Sequence, residues 1–141
     1  MKVVIIGGVA GGATAAARLR RLDEGAEIVI LERTGYVSYA NCGLPYFVGG
    51  VITDRDDLTL QTPEGFRRRF GIDVRVGHEA LELHPAEHTV EVRNLADGST
   101  YTETYDKLIL SPGARPVKPG LPGEDDRSEE HTSELQSHTQ I

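Results

Sequence analysis

The chain has 141 residues, of which 38% are hydrophobic and 26% charged, and a formal net charge of −7. That is the make-up of one soluble globular domain or part of a larger one, and the acidic balance speaks against a nucleic-acid surface. No apolar run approaches the roughly 20 residues a membrane span needs, and the single cysteine, with no basic leader or cleavage site, points to the reducing cytoplasm.

Residues 2–6 are mostly β-branched and fit a strand buried on both faces of a parallel sheet. A glycine turn follows, Gly7-Gly8-Val9-Ala10-Gly11-Gly12, and leads into an alanine-rich helix over 13–22. Its last turn carries cations that complement the helix dipole, and Gly25 stops it. Residues 27–32 read as a second buried strand, completing one βαβ unit. The segment from Thr34 to Val51 is dense in Gly, Pro and Tyr and reads as a functional loop, with a helix starting after Cys42. Thr62-Pro63-Glu64 opens a helix that runs to Phe70 and is ended by Gly71. Three strands are expected over 73–83, 89–94 and 100–105, with Asp97-Gly98 as a hairpin turn. Leu108-Ile109-Leu110 reads as a last buried strand, ended by Ser111-Pro112-Gly113 and a proline-rich loop to Pro122. The fold class is α/β: a partial Rossmann-like nucleotide-binding domain with a small antiparallel three-stranded β-meander.

From Arg127 to Ile141 the composition changes: no glycine, no proline, no apolar period. The run Arg127-Ser128-Glu129-Glu130-His131-Thr132-Ser133-Glu134-Leu135-Gln136-Ser137 reads as the in-frame translation of a common sequencing-library adapter. The expected organisation is therefore residues 1–126 as the N-terminal part of a larger domain, and 127–141 as an artefact excluded from fold reasoning. A polar C-terminal tail is the alternative.

Gly7 and Gly12 match the first and third glycines of the dinucleotide fingerprint, while Val9 stands where the middle glycine would be. Gly8, Ala10 and Gly11 keep the turn narrow, and the helix N-terminus offers free N–H groups to a pyrophosphate. Glu32 ends the second strand, where an acid would take ribose hydroxyls. The turn itself does not decide between FAD and NAD. Cys42 lies in Ser38-Tyr39-Ala40-Asn41-Cys42-Gly43-Leu44-Pro45-Tyr46, and a thiol at a helix start favours the reactive anion. A lone thiol closes no internal disulfide, so its redox cycle runs through a mixed disulfide with an outside thiol or a sulfenic acid. The alternative is a buried, inert cysteine.

These strings, with Tyr105 to Ala114 read as YDKLILSPGA, resemble the CoA-disulfide reductase family over residues 1 to about 125. This is the single-cysteine branch of the pyridine nucleotide-disulfide oxidoreductases, which includes persulfide reductases and NADH oxidases. The resemblance implies a glutathione-reductase-type FAD-binding domain, with FAD along Gly7, Val9, Ala10, Gly11, Gly12, Glu32 and Arg33. Asn41, the Ala80 backbone and the Ser111-Pro112-Gly113 turn would also lie against the cofactor. NADH or NADPH would reduce FAD, which would reduce a mixed disulfide of Cys42 with CoA, or a persulfide. Thr14, Arg18, Arg21, Ser38 and Asn41 match positions that touch CoA. The first three, at i, i+4 and i+7, share one helix face; for Arg18, Arg20 and Arg21 a solvated helix end is the competing reading. Arg67-Arg68-Arg69 reads as a solvated face. His78, His84 and His88 show no ligand spacing along the chain, so no metal is expected.

The leading function is reduction of CoA disulfide or CoA persulfide by a cytoplasmic homodimer. An NADH oxidase cycling a cysteine sulfenic acid and a non-catalytic dinucleotide sensor are the rivals. The second FAD segment, the nicotinamide domain and the dimerisation domain would lie beyond Asp126. Residues 1–141 alone are then expected neither to hold FAD tightly nor to turn over.

Overall fold

Val3, Val4 and Ile5 are almost completely buried because strand β1 (Lys2–Ile6) has neighbours on both edges and both faces. The computed structural model describes residues 1–114, 117, 120 and 122, so the adapter-like tail lies outside the described residues. The elements that follow are α1 (Ala10–Leu22), β2 (Glu27–Glu32), α2 (Leu44–Val48), α3 (Pro63–Phe70) and β3 (Asp73–Val76). The chain then forms β4 (His78–His84), β5 (Thr89–Asn94), β6 (Thr100–Thr104) and β7 (Lys107–Leu110). Four strands make a parallel sheet in the order β3-β2-β1-β7; β4, β5 and β6 make the antiparallel meander.

The alternation along β1 and β2 sorts two cores onto opposite faces of the parallel sheet. Val3, Ile5, Ile28 and Ile30 face α1 and α3 through Ala13, Ala16 and Phe66. Val4, Val29 and Leu31 face the meander through Val90, Val92 and Tyr105. The sheet is thus sandwiched between helices and meander. Arg20 joins the C-terminal ends of the two helices: its guanidinium donates to the carbonyls of Glu24 (2.6 Å) and Phe70 (2.7 Å). It is therefore structural, while Arg18 and Arg21 stay exposed.

Three expectations are corrected. The helix begins at Ala10, inside the glycine turn, rather than after it. The strand expected over 73–83 is two strands in two sheets, because Gly77 at φ +71° turns the chain from β3 on the parallel sheet into the meander. Strand β7 is only half covered, with Leu110 58% exposed, because it is the edge of the sheet as described. The other boundaries follow the sequence closely. Thr62 caps α3 by accepting from the Gly65 N–H, and Gly71 closes it in the left-handed conformation. Gly98 at φ +74° turns the β5–β6 hairpin.

One buried acid ties the meander to the sheet. Glu103 on β6 accepts from the Lys2 ammonium at 2.5 Å and from the Arg75 guanidinium; Arg75 also pairs with Asp73 at 2.8 Å. Burial opposes ionisation of Glu103, but the hydrogen bonds from Lys2 and Arg75 outweigh it and hold the carboxyl below its ordinary range. The folded state therefore binds fewer protons than the unfolded chain near the ordinary glutamate value of about 4.3. The stabilisation is complete above that value and is lost as pH falls through it towards the folded one. Glu103→Gln should cost about 2–3 kcal/mol at pH 7 by urea unfolding. The gap to wild type should narrow as pH falls from about 5 through the ordinary glutamate value of about 4.3 and below. A gap that stays constant across that range would refute the ionic role.

Candidate functional site

The turn between β1 and α1 leaves no room for a side chain at Gly7 or Gly12. A Cβ on Gly7 would lie 2.0 Å from the Ser111 carbonyl oxygen, and one on Gly12 would lie 1.8 Å from the Gly7 oxygen. Gly7 also sits at φ +93°, where L-residues are strained. Val9 occupies the N-cap position and supplies no capping hydrogen bond, and the first turn of α1 has no acid. The N–H groups of Ala10, Gly11 and Gly12 therefore have no intrahelical acceptor and face the helix's positive end. The only Cβ contacts within 4 Å of Gly11 would be with the Ser111 side chain, which closes the turn from the end of β7. These residues fit a dinucleotide pyrophosphate: bare backbone, N–H donors at the helix start and no acid in the first turn of α1.

Glu32 is 5% exposed, and its carboxylate clasps the turn from behind. One oxygen accepts from the Gly8 N–H at 2.7 Å; the other accepts from the Thr34 N–H and hydroxyl, both at 2.8 Å. The oxygen facing Gly8 keeps one acceptor position, enough for a single ribose hydroxyl. Arg33 is exposed and pairs with Glu79 at 3.6 Å. Ala80 is half-buried on β4, opposite Val92.

The cysteine loop is fastened to this turn. The Ser38 N–H donates to the Gly8 carbonyl at 2.8 Å, and Ser38 takes a left-handed φ of +52° to do so. Cys42 is four residues further on, so its backbone lies within about 14 Å of Ser38 even if the chain were fully extended. Asn41, Cys42 and Gly43 form a single 3₁₀ turn that runs directly into α2. Gly43 is bare because a Cβ there would meet Leu58 at 2.8 Å, and the turn packs down while the Cys42 thiol stays exposed. Cys42 is thus exposed in this part of the protein rather than buried. Asn41 is exposed beside it, and Thr14, Arg18 and Arg21 lie together on the solvent face of α1.

The same loop and α2 enclose a cavity of about 200 Å³ that the sequence did not reveal, with Leu44, two residues after Cys42, in its lining. An antiparallel bridge between Tyr39 and Thr59 supports it; Tyr36, Tyr39, Leu44, Phe47 and Arg55 line it. Burial, and then the charge of Glu32, pushes the Tyr39 phenol above its ordinary value, which places the glycine turn and the cavity in one electrostatic neighbourhood.

The sequence model of the pyridine nucleotide-disulphide oxidoreductases matches residues 1–141. The chain belongs to that family. It is 44% identical over 113 residues to the coenzyme A disulfide reductase of Staphylococcus haemolyticus, a match covering 80% of this chain and 26% of that protein. Among solved structures it resembles reduced Bacillus anthracis CoADR-RHD, with a TM-score of 0.83 and 53% identity, over 86% of this chain and 22% of that one. It also resembles an NAD-dependent persulfide reductase from A. fulgidus, with a TM-score of 0.83 and 38% identity, over 89% and 24% of the two chains. The chain thus spans about a quarter of the length of the curated relatives it matches. Within this pyridine nucleotide-disulphide oxidoreductase chain, Val9, which differs from the general dinucleotide fingerprint, is the N-cap residue of α1. Among the described residues no helix is long and apolar enough to cross a membrane.

Proposed function

We propose that this chain is the N-terminal part of an FAD-dependent, NAD(P)H-linked reductase that cleaves CoA disulfide or a CoA persulfide through Cys42. The observation that carries the reading is an exposed, single thiol on a loop hydrogen-bonded to a bare glycine turn. The glycine turn and the N–H groups of α1 hold the pyrophosphate, and Glu32 takes a ribose hydroxyl. Ser111, Pro112 and Gly113 close over the cofactor from the end of β7. Arg18 and Arg21 offer two guanidiniums to the phosphates of CoA, with Thr14, Ser38 and Asn41 as its further contacts.

In the first half-reaction the Cys42 sulfur attacks one sulfur of the CoA disulfide. The S–S bond breaks, one CoA thiol departs, and a Cys42–CoA mixed disulfide remains. A bound flavin would supply the two-electron relay from the nicotinamide to that disulfide. The sum is one CoA disulfide, one NAD(P)H and one proton giving two CoA thiols and NAD(P)⁺. The full-length protein, supplied with NADH or NADPH and CoA disulfide, is expected to release two free thiols per nicotinamide oxidised, without consuming oxygen. Nicotinamide oxidation matched by oxygen uptake, with no thiol released, would favour an oxidase cycling a Cys42 sulfenic acid.

A further inference from the structure

Two carboxylates meet on the outer face of the meander. In the β4–β5 pairing Glu82 stands opposite Glu91, while their neighbours Leu83 and Val90 turn inwards. A register shift between Ala80 and Glu82 brings Glu82, rather than Leu81, opposite Glu91. Like charges directly across a strand pair are destabilising. Among the described residues no Lys or Arg forms an ion pair with either carboxylate, and this includes Arg93, two positions along β5 on the same face. His84 shares that face, two residues beyond Glu82 and diagonal to Glu91. One ligand atom from each of Glu82, His84 and Glu91 lies within 4.8 Å of the other two.

We propose that Glu82, His84 and Glu91 form a site for a divalent first-row transition ion, with Zn²⁺ as its best match. One imidazole and two carboxylates are a mixed N/O donor set; Ca²⁺ and Mg²⁺ prefer oxygen alone. Three protein ligands leave a fourth position for water. Ligands of a tetrahedral Zn²⁺ with bonds of about 2.1 Å stand roughly 3.4 Å apart. Small rotations of the two glutamate side chains close the remaining distance. The ion cancels the Glu82–Glu91 repulsion and staples β4 to β5. Histidine spacing along the chain hides the site because the third ligand comes from the opposite strand.

The test is isothermal titration of the flavin-loaded full-length protein with ZnCl₂ in chelator-free buffer, beside His84→Ala, Glu91→Gln and Cys42→Ser. Outer-shell partners of metal ligands already account for about 10–100-fold in affinity, so losing a ligand should weaken this site by about tenfold or more. One saturable site is expected in wild type and in Cys42→Ser, and is expected to weaken in both His84→Ala and Glu91→Gln. Glu82 is exposed while His84 and Glu91 are half-buried, and far-UV circular dichroism checks that each variant is folded. The same stoichiometry and affinity in His84→Ala, no saturable site in wild type, or loss confined to Cys42→Ser would each overturn the proposal. None of these outcomes bears on whether CoA disulfide is the substrate.

Discussion

Cys42→Ser in the full-length protein is expected to abolish thiol release from CoA disulfide, lowering turnover by about 10³-fold or more. Serine is close in size, and Cys42 is exposed on a 3₁₀ turn whose packing depends on Gly43 and Leu58, so the fold should be untouched. The chemistry is not conserved. A hydroxyl forms no disulfide, so the first S–S exchange has no product, and residues 1–141 hold no second cysteine beside the site. The effect should be selective. The glycine turn and Glu32 make no use of the thiol, so flavin content and stoichiometric reduction by nicotinamide should match wild type. Turnover should fail only where sulfur accepts electrons. Stopped-flow absorbance separates the two stages. A variant that reduces the flavin normally and still releases thiol at the wild-type rate would remove Cys42 from the reaction.

The parts of this site that the sequence made legible are those built from neighbours along the chain. Gly7 and Gly12 bracket a turn between a β-branched run and an alanine-rich run, and each is glycine for a contact under about 2 Å. The 3₁₀ turn and helix after Cys42 follow from Gly43 and Pro45. The relations that remained hidden join distant residues. The Glu32 clasp on Gly8 and Thr34 reads in sequence only as an acid at the end of a strand. Gly77 looks like an ordinary glycine in an extended run; that it moves the chain from one sheet to the other depends on where Thr34 and Leu95 hold its backbone. The union of Lys2, Arg75 and Glu103 spans three strands in two sheets, and no local period announces it. The cavity lined by Tyr36, Tyr39, Leu44 and Phe47 forms where the Tyr39–Thr59 bridge closes a loop whose length gives no hint of pairing.

Gly12→Ala should be strongly damaging through a single added methyl. Its Cβ would sit 1.8 Å from the Gly7 carbonyl oxygen and 3.0 Å from an Ile5 methyl, and the first of these is backbone that cannot rotate aside. Nor can the turn retreat. The Gly7 N–H is bonded to the Leu31 carbonyl at 2.9 Å, and Gly8 is held by Glu32 on one side and Ser38 on the other. Relief requires α1 to lift from the sheet, which would uncover Ala13 and Ala16 and loosen their packing on Val3 and Ile5. Overpacking of this kind costs about 3 kcal/mol or more, which for a domain of this size is a fall in Tm on the order of 10 °C. Gly11→Ala is the internal control. It adds the same methyl one residue earlier, but the nearest atom is the rotatable Ser111 hydroxyl at 3.2 Å, and alanine is favoured over glycine in a helix by about 1 kcal/mol. That variant should unfold close to wild type, or above it. Flavin content should nevertheless fall in Gly11→Ala, because the new methyl stands beside the first-turn N–H groups. If thermal unfolding shows the two variants equally stable, the contact between Gly12 and Gly7 is not what fixes the helix to the turn.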